Sequence, residues 1–443
     1  MKQRTLRLLF ISYVIPTLGA MLISGAYQLI DGFFIGHFIG AEGLAAVNIG
    51  WSYITVLLGF GLLVGVGTGS LYSIAKGAED DKEARKIIGQ SITLILIPGL
   101  IFGIILYLSA PTLVYMLSDA EYRVSQKFVT TAYMAIDFIQ VFAVSSPLVI
   151  GSLALPFLVR NMGKPYYATL YMAIGVSINV LFSYLFIVVW EMSVFGAAVA
   201  NILGESCAMF LGLYYILFKS GEPLKPHHFK PNFTLIKNIM VNGASTFFMY
   251  IYVGFIMMLH HKMLVKYGGT VAVSAYTITG YIITIYYLGM EGIANGVQPI
   301  ISRLYGRENY LSTRAIIRMM AFVGMTYGIT LTIFLQIFPE FFTALFTNEL
   351  ELSKVTIHAI NFHLPLLFLE GAFVMVTVFF QAIGEGTKAL VISIGNLVIQ
   401  IPFLFIAPKF YQLDGVWVAM PLSSALLAVP VIYWAYLRYK KIS

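Results

Sequence analysis

The chain has 443 residues, 59% of them hydrophobic and 11% charged, with a formal net charge of +7. A soluble domain carries about 25% charged residues and an apolar span takes about 20 residues, so this composition indicates a polytopic membrane protein with no room for a sizeable soluble domain. The positive charge lies mostly at segment ends, where cytoplasmic loops carry it, and gives nucleic-acid binding no support; a single cysteine, Cys207, excludes a disulfide framework and a cysteine metal cluster.

In chain order, MKQRTLRLLF places basic residues before an apolar run. The run is too long for a signal peptide and lacks a cleavage site, so it reads as the first span, 8–36. That span carries Pro16 and Asp31. A charge at bilayer depth costs several kcal/mol, roughly 2.5–3.5 on insertion scales. Asp31 is therefore either functional or at a solvated outer end, and both readings stand here. Further apolar stretches cover 43–75, 86–117, 124–158, 166–189, 194–218, 235–266, 271–304, 314–338, 355–382, 387–408 and 415–437, twelve in all. Breaker-rich segments such as AKGAEDDKE, RNMGKP and YGRENYLST separate them. With the N-terminus in the cytoplasm, 21 of the 27 Lys and Arg fall inside, which predicts both termini cytoplasmic in the inner membrane.

The chain also repeats itself. Shifted by 229 positions, VGTGSLYSIAKGAEDDKEARKII (66–88) lies on NGVQPIISRLYGRENYLSTRAII (295–317) without a gap. GAAVAN (196–201) matches GVWVAM (415–420) at a shift of 219. The expected fold is all-α, with twelve transmembrane helices in two six-helix lobes related by a parallel repeat. The lobes are 1–219 and 235–443, joined by a cytoplasmic linker at 220–234, with a central cavity between or within them. Such repeats recur in secondary transporters, with substrate bound between the halves.

Five acids fall inside the stretches: Asp31, Asp137, Glu205, Glu291 and Glu370. No Lys or Arg lies deep in any of them. Carboxylates without counter-ions meet a proton, a metal ion or an organic cation. Glu291, in GMEGIANG, reads equally as the cap of a helix break, and Asp137 and Glu370 as groups in a wet vestibule. His260-His261 is a weak metal pair, because adjacent residues face different sides of a helix. The 28 Tyr, 34 Phe and 19 Met mostly face lipid or neighbouring helices; a minority would suit flat cations through cation–π and thioether contacts. No GxxxxGK[ST], HExxH or GxSxG element is present, so ATP drive and hydrolysis have no support and the chain is not expected to be an enzyme.

These marks, taken together, resemble the multidrug and toxic compound extrusion (MATE) family over essentially the whole chain. The family's first helix has a proline and, fifteen residues later, an acid, here Pro16 and Asp31. VRNMGKP (159–165), NVLFSYLFI (179–187) and GAAVAN (196–201) resemble its fourth-to-fifth connection, fifth helix and sixth helix. The resemblance implies that Asp31, Asn179, Ser183 and Asn201 converge in the N-terminal lobe, with a bend at Pro16. Two departures from the family pattern are Ser183, where it has an acid, and Asn201, where it has Thr. Glu205, one turn past Asn201, would restore a second carboxylate on that face. Met249 stands where the NorM-like branch has a glutamate, so the chain looks closer to the DinF-like branch; Glu370 aligns loosely with a NorM-like tenth-helix acid. The implied function is cation-driven multidrug antiport of lipophilic organic cations, with H+ favoured over Na+ as the coupling ion. No other cofactor and no nucleic acid is implied, and a monomer in the lipid bilayer is expected. A Na+-coupled antiporter and a lipid-linked precursor flippase are the alternatives.

Overall fold

The computed structural model describes residues 3–117 and 126–442. Lys2 and Arg123 of the basic-residue count, and the first two residues of the 124–158 stretch, lie outside them. The described residues form helices and no strand. In lipid the backbone must be satisfied within a helix or a closed barrel, and continuous apolar runs of about 20 residues or more suit the helix. They are α1 (Gln3–Phe34), α2 (Ala41–Gly77), α3 (Asp81–Leu117), α4 (Gln126–Val144), α5 (Ser146–Asn161), α6 (Pro165–Ser183) and α7 (Ser193–Tyr214). After the 220–232 segment come α8 (Phe233–Gly306), α9 (Tyr310–Ile337), α10 (Pro339–Ala344), α11 (Leu350–His363), α12 (Leu367–Ala382) and α13 (Gly386–Lys440).

Among the described residues eight helices are long and apolar enough to cross a membrane, or ten if each of two bent pairs is one span. The bent pairs are α4 with α5, at 60°, and α11 with α12, at 51°. Pro147 and Pro365 stand at these bends, where a missing N–H prevents the helix from running through. α8 and α13 each contain one non-helical residue, Gly269 (φ 66°) and Gln412 (φ 50°). Pro16 lies inside α1 without ending it.

Several local breaks recur along the chain. Gly40 (φ 91°) and Gly269 (φ 66°) are 229 positions apart, as are Glu79 (φ 61°) and Glu308 (φ 56°). The turns after α2 and α8 match bond for bond. Asp80 N donates to Ala75 O and Asn309 N to Leu304 O, while Glu83 N donates to Asp80 Oδ1 and Ser312 N to Asn309 Oδ1. At a shift of 221, Gly163 (φ 90°) meets Gly384 (φ 77°), and Glu191 (φ 52°) meets Gln412. Ser73 Oγ donates to Asn161 O and Ser302 Oγ to Ala382 O in the same relation.

The chain divides into two compact units. One is Gly19–Tyr250; the other joins Met1–Leu18 to Ile251–Ser443. This differs from the division by chain order at 220–234, because residues 3–18 of α1 cluster with the later residues and 233–250 of α8 with the earlier ones. The Gly19–Tyr250 unit packs around Phe138, Phe142, Ile150, Leu155 and Ile216. The other unit packs around Tyr286, Met290, Leu367, Phe379 and Phe380. Leu22, Leu108, Met116, Phe322 and Val429 point outward and exposed, as side chains facing lipid do.

Candidate functional site

Within the Gly19–Tyr250 unit, α6 and α7 approach closely where both carry glycine. A Cβ on Gly204 would lie 2.5 Å from the Gly175 carbonyl oxygen and 2.9 Å from Asn179 Cβ. A Cβ on Gly175 would lie 2.7 Å from the Gly204 carbonyl oxygen. Small residues at such a crossing let membrane helices touch backbone to backbone. The contact lays Asn179 against the turn of α7 that runs from Asn201 to Glu205. Ser183 is buried one turn further along α6.

Asp31, near the end of α1, is 5% exposed, which removes the solvated-end reading. Asn201 Nδ2 donates to Asp31 Oδ2 at 3.2 Å and to Ala197 O at 3.0 Å. Glu205 lies within Coulombic range of Asp31, and the Tyr27 hydroxyl within range of both carboxylates. Tyr27 was not among the expected site residues, although its place one turn before Asp31 is the spacing that shares a helix face.

The defining feature of this cluster is what it leaves unbonded. Asp31 Oδ1, both polar atoms of Asn179, Ser183 Oγ, Asn201 Oδ1 and Glu205 Oε2 are buried without a protein partner. Buried polar groups are nearly always hydrogen-bonded, and an unmet one costs about 1–3 kcal/mol. Six such atoms on three helices mark a place built to hold something else. The groups offered are two carboxylates, two carboxamides and a hydroxyl: five of the six atoms are oxygens that can receive a proton, a hard cation or an organic cation, and the sixth, Asn179 Nδ2, is a donor.

Glu370, on α12 in the other unit, is satisfied. Tyr287 Oη donates to its Oε2 at 3.1 Å, Asn396 Nδ2 donates to the same oxygen at 3.0 Å, and Ser424 Oγ lies 2.5 Å from Oε1. Beside it, Tyr252 Oη donates to Gln400 Oε1 at 2.6 Å.

Asp137 is exposed on α4, apart from the buried acids. Two expectations are corrected. Glu291 lies in an unbroken stretch of α8 and caps no helix break. The interior is not free of cations: Arg160, in the last turn of α5, is fully buried, with its guanidinium 4.5 Å from the centre of the Phe157 ring and its three nitrogens without an acceptor. His260 associates with His363 rather than His261, ring centres 5.5 Å apart, and each donates from Nδ1 to a backbone carbonyl, Ile256 O at 3.0 Å and Trp417 O at 2.9 Å. Among the described residues no three His, Cys, Asp or Glu side chains are grouped to hold a metal ion.

Residues 16–185 and 245–406 match the sequence profile of the MatE family. The multidrug export protein MepA of Staphylococcus aureus (strain MRSA252) is 24% identical over 426 residues, covering 96% of this chain and 92% of MepA. A crystal structure of a MATE protein in the bent conformation superposes with a TM-score of 0.88 at 22% identity, covering 100% of this chain and 99% of that one. One in the straight conformation gives 0.89 at 22% identity, covering 98% and 96%.

Proposed function

The chain belongs to the MatE family of transporters, and from that premise we propose that it exports lipophilic organic cations in exchange for protons. The observation that carries this reading is the cluster of Asp31, Asn179, Ser183, Asn201 and Glu205, with six buried polar atoms lacking protein partners. A proton and a cationic substrate are both species that such a set receives, and coupling follows if they favour different states of the protein. On this reading a proton neutralises Asp31, the first helix changes its bend at Pro16, and substrate leaves outward. A MATE protein has been solved straight and bent, which makes two states a reasonable premise here.

The architecture proposed with it has twelve spans, obtained by dividing α8 at Gly269 and α13 at Gln412 and taking each bent pair as one. The recurring turns support a parallel repeat of six spans, and the charge bias supports cytoplasmic termini in the inner membrane. Met249, where the NorM-like branch has its acid, favours the DinF-like branch. A monomer needs no partner for this chemistry.

One observation favours Na+ as a second reading: two carboxylates and amide oxygens are hard ligands of the kind sodium takes. A flippase for polyanionic lipid precursors would want cations at the site, and the cluster has none. The test is drug resistance in cells. Asp31→Asn at matched expression should abolish resistance to cationic drugs, and full resistance in that variant would refute the coupling role.

A further inference from the structure

The segment 220–232 does not hang free between α7 and α8. Gln90, on α3, receives it with every atom of its carboxamide: Nε2 donates to His228 O at 2.9 Å and Lys230 O at 2.8 Å, and Oε1 accepts from Asn232 N at 3.0 Å. Thr93 Oγ1 donates to Phe229 O at 3.0 Å. Gly89 leaves the space for this contact, since a Cβ there would collide with the His228 carbonyl. The result is a cleft of about 280 Å³ lined by Lys86, Gln90, His227, His228, Lys230, Pro231 and Asn232.

The hydrogen-bond account of this cleft is one-sided. The carbonyls of His228, Phe229 and Lys230 are taken by Gln90 and Thr93. Asn232 Oδ1 accepts from Leu235 N at 3.1 Å, capping the start of α8 and leaving its Nδ2 as a donor. Lys225 N donates to His228 Nδ1 at 3.0 Å, which places the proton of the neutral ring on Nε2, again a donor. Among the described residues Lys230 has no acid partner, and Lys86 meets only the exposed Glu83, at 3.2 Å. Burial, and after it the charges of His227, Arg85, Lys225 and Lys86, hold the His228 imidazole below its ordinary pKa; of these cations Arg85 is paired with Glu222 of the same segment at 3.3 Å and Lys86 with Glu83. The carbonyls of 228–230 are thus taken, while the Asn232 amide, His228 Nε2–H and two lysines remain as donors.

We propose that this cleft binds a phosphate group, clamped between Lys86 on α3 and Lys230 in the connecting segment, with His228 Nε2 and Asn232 Nδ2 as neutral donors. The phosphate is that of an anionic lipid headgroup or free phosphate. Position favours the lipid. α3 is 37 residues long, roughly 55 Å at the helical rise, well beyond a hydrocarbon core of about 30 Å, so its first turns stand in the headgroup region. Phe233, directly after Asn232, is 82% exposed, an aromatic ring of the kind that settles at that interface. Basic pockets beside membrane helices are where anionic headgroups bind.

The test uses the purified full chain in mixed micelles of dodecyl maltoside and dioleoylphosphatidylcholine, titrated with dioleoylphosphatidylglycerol or with inorganic phosphate, reading thermal stability and native mass spectra. Phosphatidylglycerol should stabilise the wild type and remain bound. The double variant Lys86→Gln/Lys230→Gln should bind it roughly 30-fold more weakly, the loss of two surface cations, while Lys354→Gln binds as wild type. Melting of the double variant in phosphatidylcholine alone, matched to wild type, establishes that it is folded. Stabilisation by inorganic phosphate, lost in the same variant, supports the site with free phosphate as its occupant. Anion effects that are absent, or equal in wild type and double variant, overturn the proposal.

Discussion

Glu370 is held by Tyr287, Asn396 and Ser424, whereas Asp31 accepts through one oxygen from Asn201 and its other oxygen has no protein partner. The two carboxylates should therefore respond oppositely to amidation. Glu370→Gln sets an NH2 group against a donor and weakens the remaining bonds, a loss of about 1–3 kcal/mol. Asp31→Asn keeps one acceptor and removes a buried charge, so stability should hold or rise. Thermal unfolding of both purified variants decides this; an equal fall would mean that Asp31 is a structural anchor. Sequence made Asp31 legible, because a lone acid between apolar runs has few bland readings once buried. It did not make the Glu370 partners legible. They lie 83, 26 and 54 residues away along the chain, and no local spacing reports a contact of that range. Arg160 was missed for a related reason: a helix-end position looks solvated until the neighbouring helices are in place.

Between elements, the α6–α7 crossing rests on two glycines, and it positions Asn179 against the turn bearing Asn201 and Glu205. Gly204→Ala places a methyl group 2.5 Å from a carbonyl oxygen of α6, and overpacking of this kind costs about 1–3 kcal/mol. Gly280→Ala, where nothing lies within 4 Å, should be neutral or slightly stabilising, since Ala is the better helix former. Comparative melting with transport measured alongside tests the crossing: a Gly204→Ala protein as stable and active as Gly280→Ala would remove the argument for it. Pro16 acts on a single helix. Pro16→Ala restores the bond to the Ser12 carbonyl that proline cannot make, so α1 should stiffen, substrate binding should survive and transport should slow. Equilibrium binding set against initial efflux rates separates these effects; lost binding with unchanged helix conformation would make Pro16 a packing residue. The length of the apolar runs located most of these elements, and Pro and Gly marked their breaks. What it could not supply was the angle at each break, which depends on what the next helix packs against.

Across the whole molecule, two kinds of order are superposed: turns that recur at shifts of 229 and 221 positions, and compact units that divide at 18/19 and 250/251. The turns at a shift of 229 were readable because a turn is specified by a few adjacent residues; the breaks at 221 were not, since the sequence match in that region fell at 219, and neither were the units, because clustering depends on every helix at once. If the protein exchanges cations as proposed, it must also show linkage between them, and this gives a test independent of resistance. If substrate and one proton compete for the cluster around Asp31, raising the pH removes the competitor, so affinity rises by at most about tenfold per pH unit. The rise flattens once the site has lost its proton, and the reciprocal effect is release of up to one proton per substrate bound. Asp31→Asn should flatten that slope, while Glu205→Gln should alter it only if Glu205 shares the proton. Titrations at fixed pH with added Na+ then separate the ions: sodium should leave substrate affinity unchanged if the proton is the coupling ion. In proteoliposomes, an imposed pH difference should drive substrate movement without Na+, and a Na+ gradient at symmetric pH should drive none. Sodium-driven movement that disappears in Asp31→Asn would keep the site and replace the ion.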